Sequence, residues 1–321
     1  MRMHTGHHGS EAEEALQDIN KKTGRNMPQA VATAVVLIVL ILACLLVRID
    51  AFVVLIVVFM ILALWELRVD FAAANLRFPL ILMVLSSSIT LLATYYSDRH
   101  ILAVAVCIAV SLPLIVIAAS LDFAPGARLS AAASKKTDPS AAAAVKPAQE
   151  HGSRLDDVAV SIFTVLYIPL LASCIVLPLT FNDHPVAHAV IVVFLPAISD
   201  TGGLFAGAWL GKHKLSPRIS PKKSVEGLLG SILFSIAGAY AIFAGTYSNL
   251  WVTRWWVPII MGTIVGIVGT FGDLCASMLK RDIGIKDMGH LLKGHGGVMD
   301  RVDSILLCAP FLAALLWATG L

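Results

Sequence analysis

Residues 277–303 read SMLKRDIGIKDMGHLLKGHGGVMDRVD, a dense run of basic residues, carboxylates and glycines set between two apolar stretches, 252–273 and 304–320. Lys280, Arg281, Lys286, Lys293 and Arg301 are residue types that bind phosphates. Asp273, Asp287, Asp300 and Asp303 suit a divalent cation, and His295-Gly296-Gly297 lets backbone approach a ligand closely. Charge this dense beside membrane-length apolar blocks points to phosphoryl or nucleotidyl transfer at a membrane surface.

Outward from this segment the chain is 58% hydrophobic and only 14% charged, with a mean hydropathy of +0.83, which excludes an ordinary soluble domain. Its apolar residues fall into blocks near the roughly 20-residue length of a bilayer span. Nine helices are expected, near 29–47, 51–66, 79–96, 101–119, 158–181, 187–209, 228–247, 252–273 and 304–320, the second of them short. The fold expected is an all-α polytopic integral membrane protein with about nine transmembrane helices. Alternating sides puts 21 of the 24 Lys and Arg on one face, leaving only Arg48, Arg99 and Arg254 for the other. The positive-inside rule then places the N-terminus in the cytoplasm and the C-terminus outside. The membrane expected is the cytoplasmic (inner) membrane, with the charged segment facing the cytoplasm. That strongly basic face suits anionic lipid or nucleotide.

Four regions follow: a polar, disordered cytoplasmic tail at 1–28, a four-helix membrane region at 29–119, an Ala/Ser/Pro/Lys-rich cytoplasmic linker at 120–157, and a five-helix membrane domain at 158–321. The last contains every motif with chemical content. Cys44, Cys107, Cys174, Cys275 and Cys308 lack CxxC spacing, which argues against a disulfide framework or a zinc site. No cleavable signal is evident.

Upstream of the charged segment, Ser199-Asp200-Thr201-Gly202-Gly203 lies inside the sixth apolar block. An aspartate costs roughly 2.5–3.5 kcal/mol at a membrane helix centre, so Asp200 is expected to face a polar cavity unless it lies near enough to the cytoplasmic end to reach water. Gly207 to Lys212 does not make a phosphate-binding P-loop, because the glycine spacing is short and His213 follows the lysine. Ser220-Pro221-Lys222-Lys223 reads as an N-cap and first turn, which puts both lysines at the positive end of a helix dipole and calls for a bound anion. Snorkelling to lipid headgroups is the alternative, and it explains Lys222 better than Lys223. Asp273 is expected at the negative, C-terminal end of the eighth helix, where a carboxylate needs a compensating cation. If that helix continues, Ser277, Lys280 and Arg281 share its face. Asp300 and Asp303 lie one turn apart at the start of the ninth helix, where capping competes with metal binding as their role.

The order Ser277-x-Leu279-Lys280-Arg281-x4-Lys286-Asp287-x-Gly289-x2-Leu292-x2-His295-Gly296-Gly297-Val298-x-Asp300-Arg301-Val302-Asp303 closely resembles the signature of phosphatidate cytidylyltransferases, also called CDP-diacylglycerol synthases. Asp200-Thr201-Gly202, Gly211-Lys212-His213-Lys214-Leu215-Ser216-Pro217 and Ser220-Pro221-x-Lys223-Ser224 resemble the same family's other blocks, in order. The likeness covers about residues 200–304. Lys293 stands where the family usually has proline, and Ser224-Val225 where it often has Thr-Trp.

The resemblance implies the reaction CTP + phosphatidate → CDP-diacylglycerol + pyrophosphate. It also implies Mg²⁺ as cofactor, with a second cation admissible, held by Asp273 and Asp300. Lys223, Lys280, Arg281, Lys286 and Asp287 would form the catalytic set. Asp200, Lys212, Ser220, His295, Gly296, Gly297, Arg301 and Asp303 would bind or position substrate. CTP, phosphatidate and membrane lipid are the partners implied; nucleic acid is not one, and a homodimer is left open. A CTP-dependent lipid-alcohol kinase is the alternative, releasing CDP in place of pyrophosphate. A secondary transporter accounts for Asp200 but leaves the charged loop without a role.

Overall fold

The computed structural model describes residues 27–121, 154–181, 184–217, 219–247, 250–285, 288 and 297–321. The polar tail, most of the linker, and Lys286, Asp287, Lys293, His295 and Gly296 lie outside the described residues. In chain order the helices are α1 (Met27–Val47), α2 (Ile49–Ala73), α3 (Leu80–Tyr96), α4 (His100–Ser120), α5 (Arg154–Thr180), α6 (Pro185–Leu210), α7 (Val225–Thr246), α8 (Trp256–Ile283) and α9 (Met299–Thr319), with a single turn at Leu250–Thr253 before α8.

Among the described residues α2 and α4 through α9 are long and apolar enough to cross a membrane, while α3 and the Ala32–Val47 part of α1 are apolar but shorter. Large apolar side chains such as Leu46, Leu204, Trp209 and Leu233 are exposed on the outer faces, as a hydrocarbon surround requires. The chain is an all-helical integral membrane protein whose one departure among the described residues is a small hairpin. Its strands, β1 (Lys214–Ser216) and β2 (Ser220–Ser224), pair antiparallel and join α6 to α7.

Several helix ends differ from expectation, for physical reasons. The second helix is not short: α2 runs through Glu66, Arg68 and Asp70 to Ala73, because Glu66 and Asp70 are buried against other elements rather than left in lipid. Helix α8 continues past Asp273 to Ile283 and closes at Gly284, whose φ of 82° is the left-handed conformation of a C-terminal glycine stop. There the Ile285 N–H donates to Lys280 O (2.9 Å) and the Gly284 N–H to Arg281 O (3.1 Å), a Schellman closure. Helix α5 starts at Arg154 and contains one π-turn, Leu166–Leu170, at Pro169, which lacks an N–H and displaces the ladder.

Packing around the site is tightest where glycines meet. On α6, Gly202 and Gly203 lie against Gly227, Gly230 and Ser231 of α7, and on α8, Gly262 and Gly266 lie against the backbone of Ile236 and Ile232. A Cβ added at Gly266 would come within 2.6 Å of Ile232 Cα. These glycines therefore bring helix backbones into direct contact, as small residues do between membrane helices. None of them interrupts its helix.

Candidate active site

Lys223 enters the site from a strand. Ser220 does not cap a helix; it begins β2 opposite Ser216, and α7 starts only at Val225. The N-cap is Ser224, whose Oγ accepts the Gly227 N–H at 3.1 Å. Lys223 is therefore fixed just ahead of the cap rather than inside a first turn, with its stem crossing to α8. Its ammonium lies 2.8 Å from Asp273 Oδ2 and donates to Thr270 O at 2.9 Å. Asp273 sits in the interior of α8 and not at its negative end, and the charge that compensates it is Lys223. This pair is partly wet, with the Asp273 side chain 41% exposed.

Lys280 lies two turns beyond Asp273 on the same face of α8. Its Nζ reaches Asp300 Oδ1, in the first turn of α9, at 2.8 Å. Asp300 Oδ2 accepts the Met288 N–H at 3.3 Å, so this carboxylate ties α8, the loop and α9 together. The side chains are 13% and 7% exposed, which makes the contact a buried ion pair.

Asp303 is not a helix cap: α9 starts at Met299 behind Val298, and no side chain of its own caps it. Asp303 is buried and its Oδ1 accepts the Ser304 N–H at 2.8 Å. Ser304 Oγ has one proton, and it donates that to Asp200 Oδ2 at 2.8 Å rather than to Asp303 Oδ1 at 3.3 Å. Ser304 thus joins α9 to α6 through Asp200 and holds Asp303 through its own backbone N–H. Asp200 lies well inside α6 and has Ser304 of α9 as the polar partner that a mid-helix carboxylate requires. Asp303 feels the charges of Asp273, Asp200 and Asp300, and Arg301 lies within electrostatic range of Asp200.

The structure therefore brings Asp200, Lys223, Asp273, Lys280, Asp300, Arg301 and Asp303 together. Lys212 and Arg281 are exposed. The backbone N–H groups of Lys212 and His213 donate to Glu226, and His213 Nδ1 lies 2.6 Å from Glu226 Oε1. Gly297 is needed for a protein contact: a Cβ there would strike the Met288 carbonyl and come within 2.6 Å of Glu66 Oε2.

Sequence reasoning missed Glu66 and Tyr167. Glu66 is 2% exposed, and its Oε2 accepts the Met299 N–H at 3.0 Å, so a side chain from α2 caps α9. The signal was present as three charges, Glu66, Arg68 and Asp70, inside an apolar run. Tyr167, in the π-turn of α5, is buried with its hydroxyl lacking a hydrogen-bond partner among the described residues. It lies within electrostatic range of Asp303, Asp273 and Asp300. Nothing in the sequence distinguished it from an ordinary core aromatic.

The donor set suits a hard cation, because Asp200, Asp273, Asp300 and Asp303 offer only oxygen and share one electrostatic field. Among the described residues no three carboxylates, histidines or cysteines stand at metal-ligand spacing, and two of the four aspartates are held by lysines. A cation at Asp273 or Asp300 would therefore compete with Lys223 or Lys280.

The cytidylyltransferase family model matches residues 28–319 of this chain. A phosphatidate cytidylyltransferase of Mycobacterium bovis is 38% identical over 155 residues, covering 48% of this chain and 49% of that protein. One from Mycobacterium leprae is 40% identical over 152 residues, covering 47% of each chain, and one from Staphylococcus haemolyticus is 39% identical over 133 residues, covering 41% of this chain and 49% of the relative. The chain thus spans about half the length of the curated relatives it matches. Since the family match runs from α1 to the last turn of α9, taking in the carboxylate and lysine cluster, the chain belongs to the cytidylyltransferase family.

Proposed function

We propose that the protein transfers the cytidylyl group of CTP to phosphatidate, giving CDP-diacylglycerol and pyrophosphate. The observation that carries this reading is the convergence of two Lys–Asp pairs, Lys223–Asp273 and Lys280–Asp300, with Arg301 beside Asp200, in a chain whose family transfers cytidylyl groups. A phosphomonoester has a second pKa of about 6, so phosphatidate is largely a dianion at neutral pH and needs no strong general base. An oxygen of that phosphate attacks the α-phosphorus of CTP; the bond from the α-phosphorus to the oxygen bridging to the β-phosphate breaks, and pyrophosphate leaves with that electron pair.

The barrier is the approach of two anions, which fixed cations lower by screening charge and aligning the reactants. Lys223, Lys280 and Arg301 supply such charge from β2, α8 and α9. Lys223 and Lys280 are held by carboxylates, so they are prepositioned and can exchange partner when a triphosphate arrives. Asp200 and Asp303, linked through Ser304, position the cationic groups around them. Mg²⁺, held by Asp273 and Asp300, would neutralise phosphate charge when bound.

The cluster would face the cytoplasm, with the N-terminus inside, the C-terminus outside and nine crossings; the distribution of Lys and Arg supports this. The test of activity is purified protein in detergent with CTP, phosphatidate and Mg²⁺, read for pyrophosphate and for CDP-diacylglycerol. Release of CDP with a phosphorylated lipid would assign γ-phosphoryl transfer instead, and formation of no product at all would overturn the reading.

A further inference from the structure

Beside the charged cluster, a cavity of about 270 Å³ lies among α1, α2, α5, α6 and α9. Every described residue lining it is apolar except Arg301. Along α2 the lining runs from Phe52 to Ala63, about 16 Å at 1.5 Å per residue, roughly half of the ~30 Å hydrocarbon thickness and so the depth of one leaflet.

The two ends differ. Ala63 lies one turn from Glu66, which bonds the first N–H of α9, and Ala197 lies one turn before Asp200; Arg301 is at this same end. The guanidinium of Arg301 is within electrostatic range of Asp200, so a long side chain lines the apolar wall with its stem and turns its charge to the polar cluster. Phe52, 1% exposed, stands at the far end. Ile38 lines the cavity and is also 43% exposed, so the cavity opens sideways toward the lipid-facing surface beside α1.

An apolar, leaflet-deep cavity with a lateral opening and Arg301 at its polar end matches an anionic lipid in shape, polarity and charge order. We propose that it holds one acyl chain of a lipid phosphomonoester, whose phosphate Arg301 receives at the edge of the carboxylate cluster, and that Phe52 and Ile56 limit the length of chain accepted. The identity of the lipid as phosphatidate rests on the function proposed above; the cavity as an acyl site does not.

The test uses the full chain in nanodiscs and two lipids, phosphatidate and phosphatidylcholine, each bearing the same diazirine on one acyl chain. After illumination, phosphatidate is expected to label peptides from Phe52–Ala63 and Ile168–Ile175, and phosphatidylcholine to label the outer faces, such as that of Leu233. Ile56→Trp fills the cavity and should cut phosphatidate labelling of those peptides by about tenfold, the worth of two displaced methylenes. Phe52→Ala, which opens the deep end and adds no bulk, should shift chain preference in competition toward longer phosphatidates. Equal labelling of the cavity by both lipids, or phosphatidate labelling confined to outer faces, overturns the proposal. Labelling unaltered by Ile56→Trp in monodisperse protein does the same. Turnover without cavity labelling refutes the acyl site and leaves the activity standing; cavity labelling without turnover does the reverse.

Discussion

Replacing Lys280 by methionine keeps most of its bulk and leaves Asp300 as a buried anion without its partner. Opposite charges at 2.8 Å attract by about 6 kcal/mol at an effective dielectric of 20, and removing one member of a buried pair typically costs about 3–5 kcal/mol once desolvation is included. Lys280→Met should therefore destabilise the protein by about 3 kcal/mol or more. Asp300→Asn should do so comparably, since it strands a buried ammonium even though its amide oxygen can still accept the Met288 N–H. The double variant removes both charges and should recover most of the summed loss of about 6 kcal/mol, because replacing a buried ion pair by uncharged groups is often close to neutral. Stability would be read by reversible denaturation in detergent, and turnover by pyrophosphate release at saturating substrates. Lys280 is assigned to a phosphate as well as to Asp300, so the double variant should stay down by about 10²-fold or more in turnover although its stability returns. Activity returning together with stability would refute the phosphate role and reduce the pair to a structural tie between α8 and α9.

Lys223→Ala should behave differently, because its partner Asp273 is 41% exposed: stability should fall by no more than about 1 kcal/mol, while kcat/KM for CTP drops by about 10²-fold, and a similar fall in both would refute a triphosphate role. Gly297→Ala should destabilise by about 1–3 kcal/mol by driving a methyl group into the Met288 carbonyl and Glu66, read as a lowered midpoint in thermal unfolding; unchanged unfolding would show that the loop relaxes at no cost. With the five native cysteines replaced, Asp98→Cys should react with an impermeant thiol reagent on intact cells and Ala73→Cys only after the membrane is opened. The reverse pattern would put the carboxylate cluster on the side away from cytosolic CTP.

The membrane helices were legible because apolar blocks of bilayer length have one stable fate. Their ends were not, wherever a tertiary partner overrode the local cost of a charge. Asp273 looks like a helix terminus when alone, yet it lies mid-helix because Lys223 reaches it from another element. Glu66 and Asp70 mark the end of an apolar run in the sequence, but burial, and for Glu66 the first N–H of α9, keep α2 helical through them. The hairpin was hidden because Lys-Leu-Ser and Ser-Pro-Lys-Lys-Ser show no apolar alternation, and Ser220 offered the same capping chemistry as the true cap, Ser224. Of the candidate site, the residue types were legible from charge in an apolar chain. Their pairing was not, since Lys280 and Asp300 meet across 20 residues of sequence and Asp200 and Ser304 across 104.

The glycine contacts between α6, α7 and α8 have a mechanical consequence. Helices that touch through their backbones cannot slide or roll past one another without driving Phe234, Ile232 or Ile236 into a neighbouring helix. These three therefore move as one block, and the backbone positions of Asp200 and Asp273 keep their spacing whatever the rest of the protein does. Helices α1 and α2 border the cavity through side chains such as Ile38, Phe52 and Met60, which can change rotamer. Any widening that admits a lipid has to be taken up on that side, so hydrogen exchange should be fast along α1 and slow along the α6–α8 seam.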